Sequence, residues 1–482
     1  MKSSLILSLL LFMGMGEEAA LRAQSSDLPG AFGGRPGGVL DSGAAAAQSP
    51  LFGGVPTGKA TADVLPLSLA DAINRGLKYN LGLLLGEQNL RSAQGARLRV
   101  LSELLPKLTA GVSETGNQVN LAAFGFSGFP GIHPIVGPFN VFDVRAYLSQ
   151  PLLDFAAWNR SKAEAENLKA AQHSLKNTRD LVVLACGDLY LLASAGQSRI
   201  DSAKAQLVTA QALYNLALDR KQAGVAAGID VLRAQVQLQA QQQRLIVAEN
   251  DFAKQKLALA RAIGLPLGQE FNLTDTVPYS PFPAPTLEAA LEEAYRERGD
   301  YQGALDLVRG AELKKKAATG GGRPSLNLDA NYGDLGQRVN SSHGTFTVAA
   351  SLRVPIFEGG KVRGEVLEAD ATLRRQQAEA EDLRARIYYE IRSSFLDLKS
   401  AEDRVKVAQS AHNLAEEQVR ESRDRFAAGV TNTIEVVQGQ EALAAASENY
   451  ISSLFAFNLA KAALARAMGL GEAGYQQFLR GK

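Results

Sequence analysis

Four short stretches of the chain alternate apolar and polar residues with a period of two, the signature of strands with two unlike faces. Phe142, Val144, Ala146 and Leu148 are apolar, with Asp143 and Arg145 between them and Ser149 after them. Leu326, Leu328, Ala330 and Tyr332 alternate with Asn327, Asp329 and Asn331. Phe346, Val348, Ala350, Leu352 and Val354 alternate with Thr345, Thr347, Ala349, Ser351 and Arg353. A weaker set, Leu108, Ala110 and Val112, follows Pro106. The pattern predicts strands over about 107–118, 140–151, 325–334 and 344–355. Elsewhere the period changes. Residues 156–221 and 361–427 are free of proline and rich in Ala, Leu, Lys, Gln and Glu. Each predicts a helix of about 100 Å at 1.5 Å per residue, too long for one compact globule. Beyond them Val231, Leu238, Leu245, Phe252 and Leu259 recur every seventh residue. So do Val436, Leu443, Tyr450, Phe457 and Leu464, beside a mostly small seam of Gly439, Ala446, Ser453, Ala460 and Ala467. A sustained seven-residue repeat imposes a left-handed supercoil, so these positions carry coiled-coil packing rather than chemistry.

Two readings of the strands stay open. Their apolar faces could pack on the protein's own helices, or face lipid in a transmembrane barrel whose strands are about 10 residues long. Four strands cannot close a barrel, and an open edge in lipid leaves backbone groups unpaired. Since bacterial barrels start at about eight strands, a lipid-facing sheet needs two, three or four copies of the chain. The loops between the strands, 117–138 and 333–344, would then face outside the cell.

The chain repeats itself. Arg220, Gly224, Val225, Ile229, Asp230 and Val231 return as Arg425, Gly429, Val430, Ile434, Glu435 and Val436 at one constant offset. Pro106 and Leu108 return as Pro324 and Leu326, and Pro151 as Pro355. Each half reads helix, strand, loop, strand, long helix, hairpin tip, helix. A unit this long is one duplicated domain rather than a short solenoid repeat. The expected division is 1–23, 24–62, 63–280 with a tip at about 223–230, 281–470 with a tip at about 428–435, and a tail over 471–482.

Composition narrows this only slightly. Charge is nearly balanced, at +1, so no basic stripe suggests a nucleic-acid partner. Lys2, the apolar run 5–13 and small residues near Ala23 read as a secretory signal. No other stretch is expected to be long and apolar enough to cross a membrane as a helix. The Gly/Pro/Ala-rich residues 24–62 read as a flexible linker. The one cysteine, Cys186, sits in an apolar run and reads as a buried, inert thiol.

No catalytic, cofactor or metal constellation is visible, and the chain is not expected to be an enzyme. His133, His173, His343 and His412 are scattered, with no metal-ligand spacing. The Gly-rich 319–322 lacks the phosphate-binding Lys-Ser/Thr and is expected to end a helix before a strand. The remaining candidates lie at the tips. Asp230 and Glu435 fall in the first turn of a helix, where an acid complements the helix dipole. Repeated around a ring of chains they would form a carboxylate collar that favours cations. Arg220 and Arg425 could tether that collar by ion pairs. Gly224 and Gly429 permit the positive φ that ends a helix. The neighbouring Val225 and Val430 suit the docking of another helical hairpin.

Together the doubled tips, the proline-bounded strands and the helix ends Ile263-Gly264-Leu265 and Met468-Gly469-Leu470 resemble the TolC-like outer-membrane efflux protein family, over about 64–470. The resemblance implies an α+β membrane protein: a homotrimer with a shared twelve-stranded transmembrane β-barrel, continued by a tunnel of long α-helical hairpins across the periplasm of a Gram-negative cell. It implies a passive exit duct of an efflux pump or type I secretion system. Its partners would be outer-membrane lipid, a periplasmic adaptor and an inner-membrane pump of RND, ABC or MFS type. The best-known members have two acidic gate residues one turn apart in the second half. Here Glu435 matches the first, Gln438 replaces the second, and Arg233 follows Asp230 in the first half. The resemblance thus implies a less acidic gate. An N-terminal lipidated cysteine, common in the family, is absent, which implies anchoring by the barrel alone. A secreted coiled-coil structural or adhesive protein is the alternative.

Overall fold

The computed structural model describes residues 49–125, 133–275 and 285–471. The expected signal, most of the 24–62 linker and the tail beyond 471 lie outside them, as do the middle of the first loop and the join at 276–284. The chain is mostly helical with some sheet. In order, its elements are β1 (Leu65–Leu67), α1 (Leu69–Tyr79), α2 (Leu81–Leu101), β2 (Lys107–Asn120), β3 (Ile135–Leu153), α3 (Phe155–Gln222) and α4 (Gly228–Ala262). Then come β4 (Phe271–Leu273), α5 (Leu287–Glu297), α6 (Gly299–Gly320), β5 (Ser325–Gly336), β6 (His343–Arg353), α7 (Lys361–Ala427) and α8 (Thr433–Ala467). The strands reach further into their loops than the alternation suggested, because the ladder continues through residues that no longer alternate.

The four long strands form one antiparallel sheet in the order β2-β3-β5-β6. Its register sets Ala110 opposite Ala146, Ala146 opposite Tyr332, and Tyr332 opposite Phe346. All four apolar sets therefore share one face. That face has no cover within the chain: Leu108, Val112, Tyr332, Phe346, Val348 and Leu352 are between 65% and 76% exposed. The structure thus decides against a sheet packed on its own helices. The opposite face is polar and self-bonded. Ser149 Oγ donates to Asp329 Oδ1 at 2.7 Å, Asn327 Nδ2 donates to Asp329 Oδ2 at 2.7 Å, and Arg145 pairs with Asp143.

Next to the sheet, α2, α3, α6 and α7 pack side by side; towards the tips the order becomes α4, α3, α8, α7. The two long helices run through both layers, and each shorter pair abuts where the layers meet. Local chemistry sets those joints. Ser68 and Thr286 cap α1 and α5 through Asp71 N–H and Ala289 N–H. Asn80, fully buried between α1 and α2, donates to Leu51 O at 2.7 Å and to Ala262 O at the end of α4 at 3.0 Å. Arg298, between α5 and α6, donates to Glu390 Oε2 at 2.6 Å, Asp300 Oδ2 at 2.7 Å and Ala467 O at the end of α8 at 3.3 Å. In each half, the residue between the short helices thus holds the last carbonyls of the returning helix. Burial pushes the Asp300 carboxyl up, but the Arg298 and Arg466 guanidiniums outweigh it and hold it below its ordinary value.

Two sequence expectations are corrected here. Residues 49–62 do not hang as a linker. Val55 N–H bonds Tyr79 O at 2.9 Å, Thr61 N–H bonds Gln269 Oε1 at 2.9 Å, and Gly54 bridges to Asn80. Gly54 approaches so closely that a Cβ would stand 2.4 Å from Arg261 O. Second, part of α3 is long and apolar enough to cross a membrane as a helix. More than half of that stretch is buried, because its Val182, Val183, Cys186 and Tyr190 form a core with Ile73, Leu259 and Phe271. Cys186 is buried as expected, and burial pushes its thiol up to about 12.

Asp188 sits in the same stretch with no partner for Oδ1, and burial pushes its carboxyl up from 3.8 to about 7. A carboxyl raised on folding contributes stability in acid that is lost as pH rises towards its folded value. Asp188→Asn should therefore leave the melting temperature unchanged near pH ~4 and raise it by several degrees near pH ~8. An equal gain at both pH values in thermal melts followed by circular dichroism would contradict this.

Candidate functional site

The two hairpin tips are built alike. At the first, Gly224 has φ +76°, Gly224 N–H bonds Lys221 O at 3.0 Å, and Val225 N–H bonds Arg220 O at 2.9 Å. At the second, Gly429 has φ +78°, Gly429 N–H bonds Phe426 O at 3.0 Å, and Val430 N–H bonds Arg425 O at 3.0 Å. This pair of bonds satisfies carbonyls that a helix end leaves open, and it needs the left-handed residue that glycine supplies. The hydrophobic contact that usually accompanies it is missing: Val225 is 69% exposed and Val430 70%.

The helices leaving the tips start differently. Asn432 Oδ1 accepts from Ile434 N–H at 3.0 Å and caps α8. No side chain caps α4, which begins after Ala227. Below both turns, Leu213, Ala217, Val231, Ala234, Phe426 and Val436 form one apolar cluster that joins α3, α4, α7 and α8.

The five charged candidates separate into three arrangements. Asp230 Oδ1 lies 3.6 Å from Arg233 Nη1, one turn along the same helix. Glu435 Oε1 lies 3.7 Å from Arg425 Nε, across its own turn, and Glu435 also accepts from Thr431 Oγ1. Each acid thus carries its own arginine. Arg220 departs from the expectation of a carboxylate partner. Its Nη1 donates to Phe426 O at 2.6 Å, and its guanidinium lies 4.8 Å from the Phe426 ring centroid. It therefore crosses from the first tip to the end of α7, where a cation meets the negative end of the helix dipole and an aromatic face. Gln438 is exposed and stands apart from these pairs.

Comparison with known proteins places this arrangement. Residues 73–265 and 308–470 match the family described as outer membrane efflux protein. The chain belongs to that family. It is accordingly an outer-membrane protein of Gram-negative type, and its family and fold are those of a channel protein. It is 24% identical over 307 residues to the proteases secretion protein PrtF of Dickeya chrysanthemi, covering 61% of this chain and 65% of that one. It is 25% identical over 419 residues to the pyoverdine export outer membrane protein OpmQ of Pseudomonas aeruginosa, covering 84% and 85%. Its fold is that of the Campylobacter jejuni CmeC outer membrane channel, with a TM-score of 0.73, 16% identity and 84% and 86% of the two chains covered.

For this family member, the sequence located both tips but missed Phe426, the residue that receives Arg220. Phe426 follows Arg425 in the second tip, where the first tip has Lys221, so the alignment of the two copies hides it. The signal was the large aromatic itself, next to the last residue of its helix, where it is buried to 3% exposure.

Proposed function

We propose that the chain is one of three identical protomers of an outer-membrane exit duct, through which an efflux pump or type I secretion system discharges its substrate. The observation that carries this reading is the sheet: an uncovered apolar face, a polar opposite face, and β2 and β6 left as unpaired edges. In hydrocarbon an unpaired edge is not tolerated, so β6 of one copy must pair with β2 of the next. Three copies would close twelve strands, polar face inward. The flanking helices support the same closure. On one flank α2 and α4 expose Leu98, Val236, Ile246 and Leu257; on the other α7 exposes Tyr389, Leu396, Val407 and Leu414. Such stripes on opposite flanks suit contact between copies.

The matched tips support an internal duplication that gives three copies six hairpin ends of two alternating kinds. Here Asp230, Glu435, Arg233, Arg220, Arg425 and Gln438 form the periplasmic gate. Charge pairing within each tip makes that gate a clamp of arginines rather than a bare carboxylate collar. Exposed ion pairs contribute only about 0–1 kcal/mol each, so a partner can open it at small cost. The partner is a periplasmic adaptor, itself bound to an inner-membrane pump of RND, ABC or MFS type, and it docks on Gly224, Val225, Gly429 and Val430.

Single-channel recording in planar bilayers tests the duct and its gate together. The purified protein should insert and show a small conductance that rises in Arg220→Ala and Arg425→Ala. Recovery as a soluble monomer without conductance would overturn the duct reading and favour a secreted coiled-coil protein. Unchanged conductance in both variants would return the arginines to helix-end packing. Replacing Val225 and Val430 together by aspartate should abolish export in cells while leaving bilayer conductance intact. Retained export would remove the valines from the docking surface.

A further inference from the structure

Just above the tip cluster, α3, α4, α7 and α8 do not meet on an apolar seam. They line a half-open pocket of about 230 Å³. Eight of its ten lining residues are polar, among them Thr209, Gln241, His412, Glu416 and Gln440. Along the helices the pocket lies between two direct contacts of the hairpins. On the tip side is the cluster of Leu213, Val231, Phe426 and Val436. On the far side Arg199 binds Glu448 through two bonds of 2.9 Å, and Ser452 accepts a third from Arg199 at 3.2 Å.

Two lining amides are in an unusual state. Gln241 is 1% exposed and Gln440 is 5% exposed. Gln241 Nε2 and both amide atoms of Gln440 have no hydrogen-bond partner in the protein. Gln440 directly follows Gly439, a position of the small coiled-coil seam, where an apolar residue would ordinarily fill the core. Buried donors and acceptors of this kind are satisfied by internal water when the site is polar and roomy enough, and 230 Å³ has room for about seven waters at roughly 30 Å³ each. Other occupants fit less well. Among the described residues no group of three or more His, Cys, Asp or Glu could hold a metal ion. Glu416 repels an anion. The polar lining disfavours a hydrocarbon.

We propose that this pocket is a hydration site, in which a fixed water cluster bridges Gln440 of the second hairpin to Gln241 and Thr209 of the first. The two hairpins are then joined by direct apolar contact at the tip, by an ion pair further up, and by water between. The proposal concerns this chain's own packing and stands whether or not the protein is a duct.

A high-resolution structure of the purified full-length protein, with xenon-pressurised crystals beside native ones, tests it. Ordered waters should lie within hydrogen-bond distance of Gln440 Nε2, Gln440 Oε1 and Gln241 Nε2, and xenon should stay out. Xenon in the pocket, or a collapsed site in which Gln440 bonds protein groups directly, would overturn it. Radiolytic hydroxyl footprinting gives a second reading in solution. Bound water should label Leu443, which lines the pocket, several-fold more strongly in the native protein than in Gln440→Leu. Equal labelling in a variant with native circular dichroism would count against the site.

Discussion

Everything in this molecule follows from a sheet that cannot satisfy itself. Four strands present one apolar face to nothing and end in two open edges. Apolar area left in water forgoes roughly 25 cal/mol per Å², and an unpaired backbone edge is a template for pairing with another chain. In the proposed duct, lipid would answer the first problem and further copies of the chain the second. Pairing of β6 with β2 of a neighbour would draw the helices beneath into a ring and make their exposed flanks contacts between copies. The long helices would then have a purpose that no compact domain gives them: carrying the opening away from the membrane.

The tips are where that geometry becomes adjustable. The two turns share a backbone solution, two hydrogen bonds and one left-handed glycine each. Their side chains do different work. Asp230 and Glu435 are each tied to an arginine of their own tip, while Arg220 reaches across to the carbonyl and ring of Phe426. The first hairpin therefore leans on the second through a cation at a helix C-terminus.

Local pattern was readable because it is written at short range. Alternation placed Phe346 and Val348 on one face, and the seven-residue repeat placed Val231, Leu259, Val436, Phe457 and Leu464 in buried positions. The repeated glycines lie at left-handed turns. What escaped depends on residues far apart in sequence. Asn80 meets Ala262, Arg298 meets Ala467, and Arg220 meets Phe426, and nothing local announces any of these pairs. Composition also misled once: glycine and proline at 53–58 mark close packing against the helix joints rather than slack chain.

The central claim is that neighbouring copies close the sheet through β6 and β2. Edge cysteines test it directly: Thr109→Cys on β2 combined in turn with Thr345→Cys, Thr347→Cys, Ala349→Cys or Ser351→Cys on β6. The native Cys186 is fully buried, with its thiol pushed up to about 12, and should not interfere. After mild oxidation in outer membranes, at least one pair should give a covalent ladder that ends at three chains on denaturing gels. A ladder that runs past three, or chains that remain monomeric in every pairing, would contradict the account.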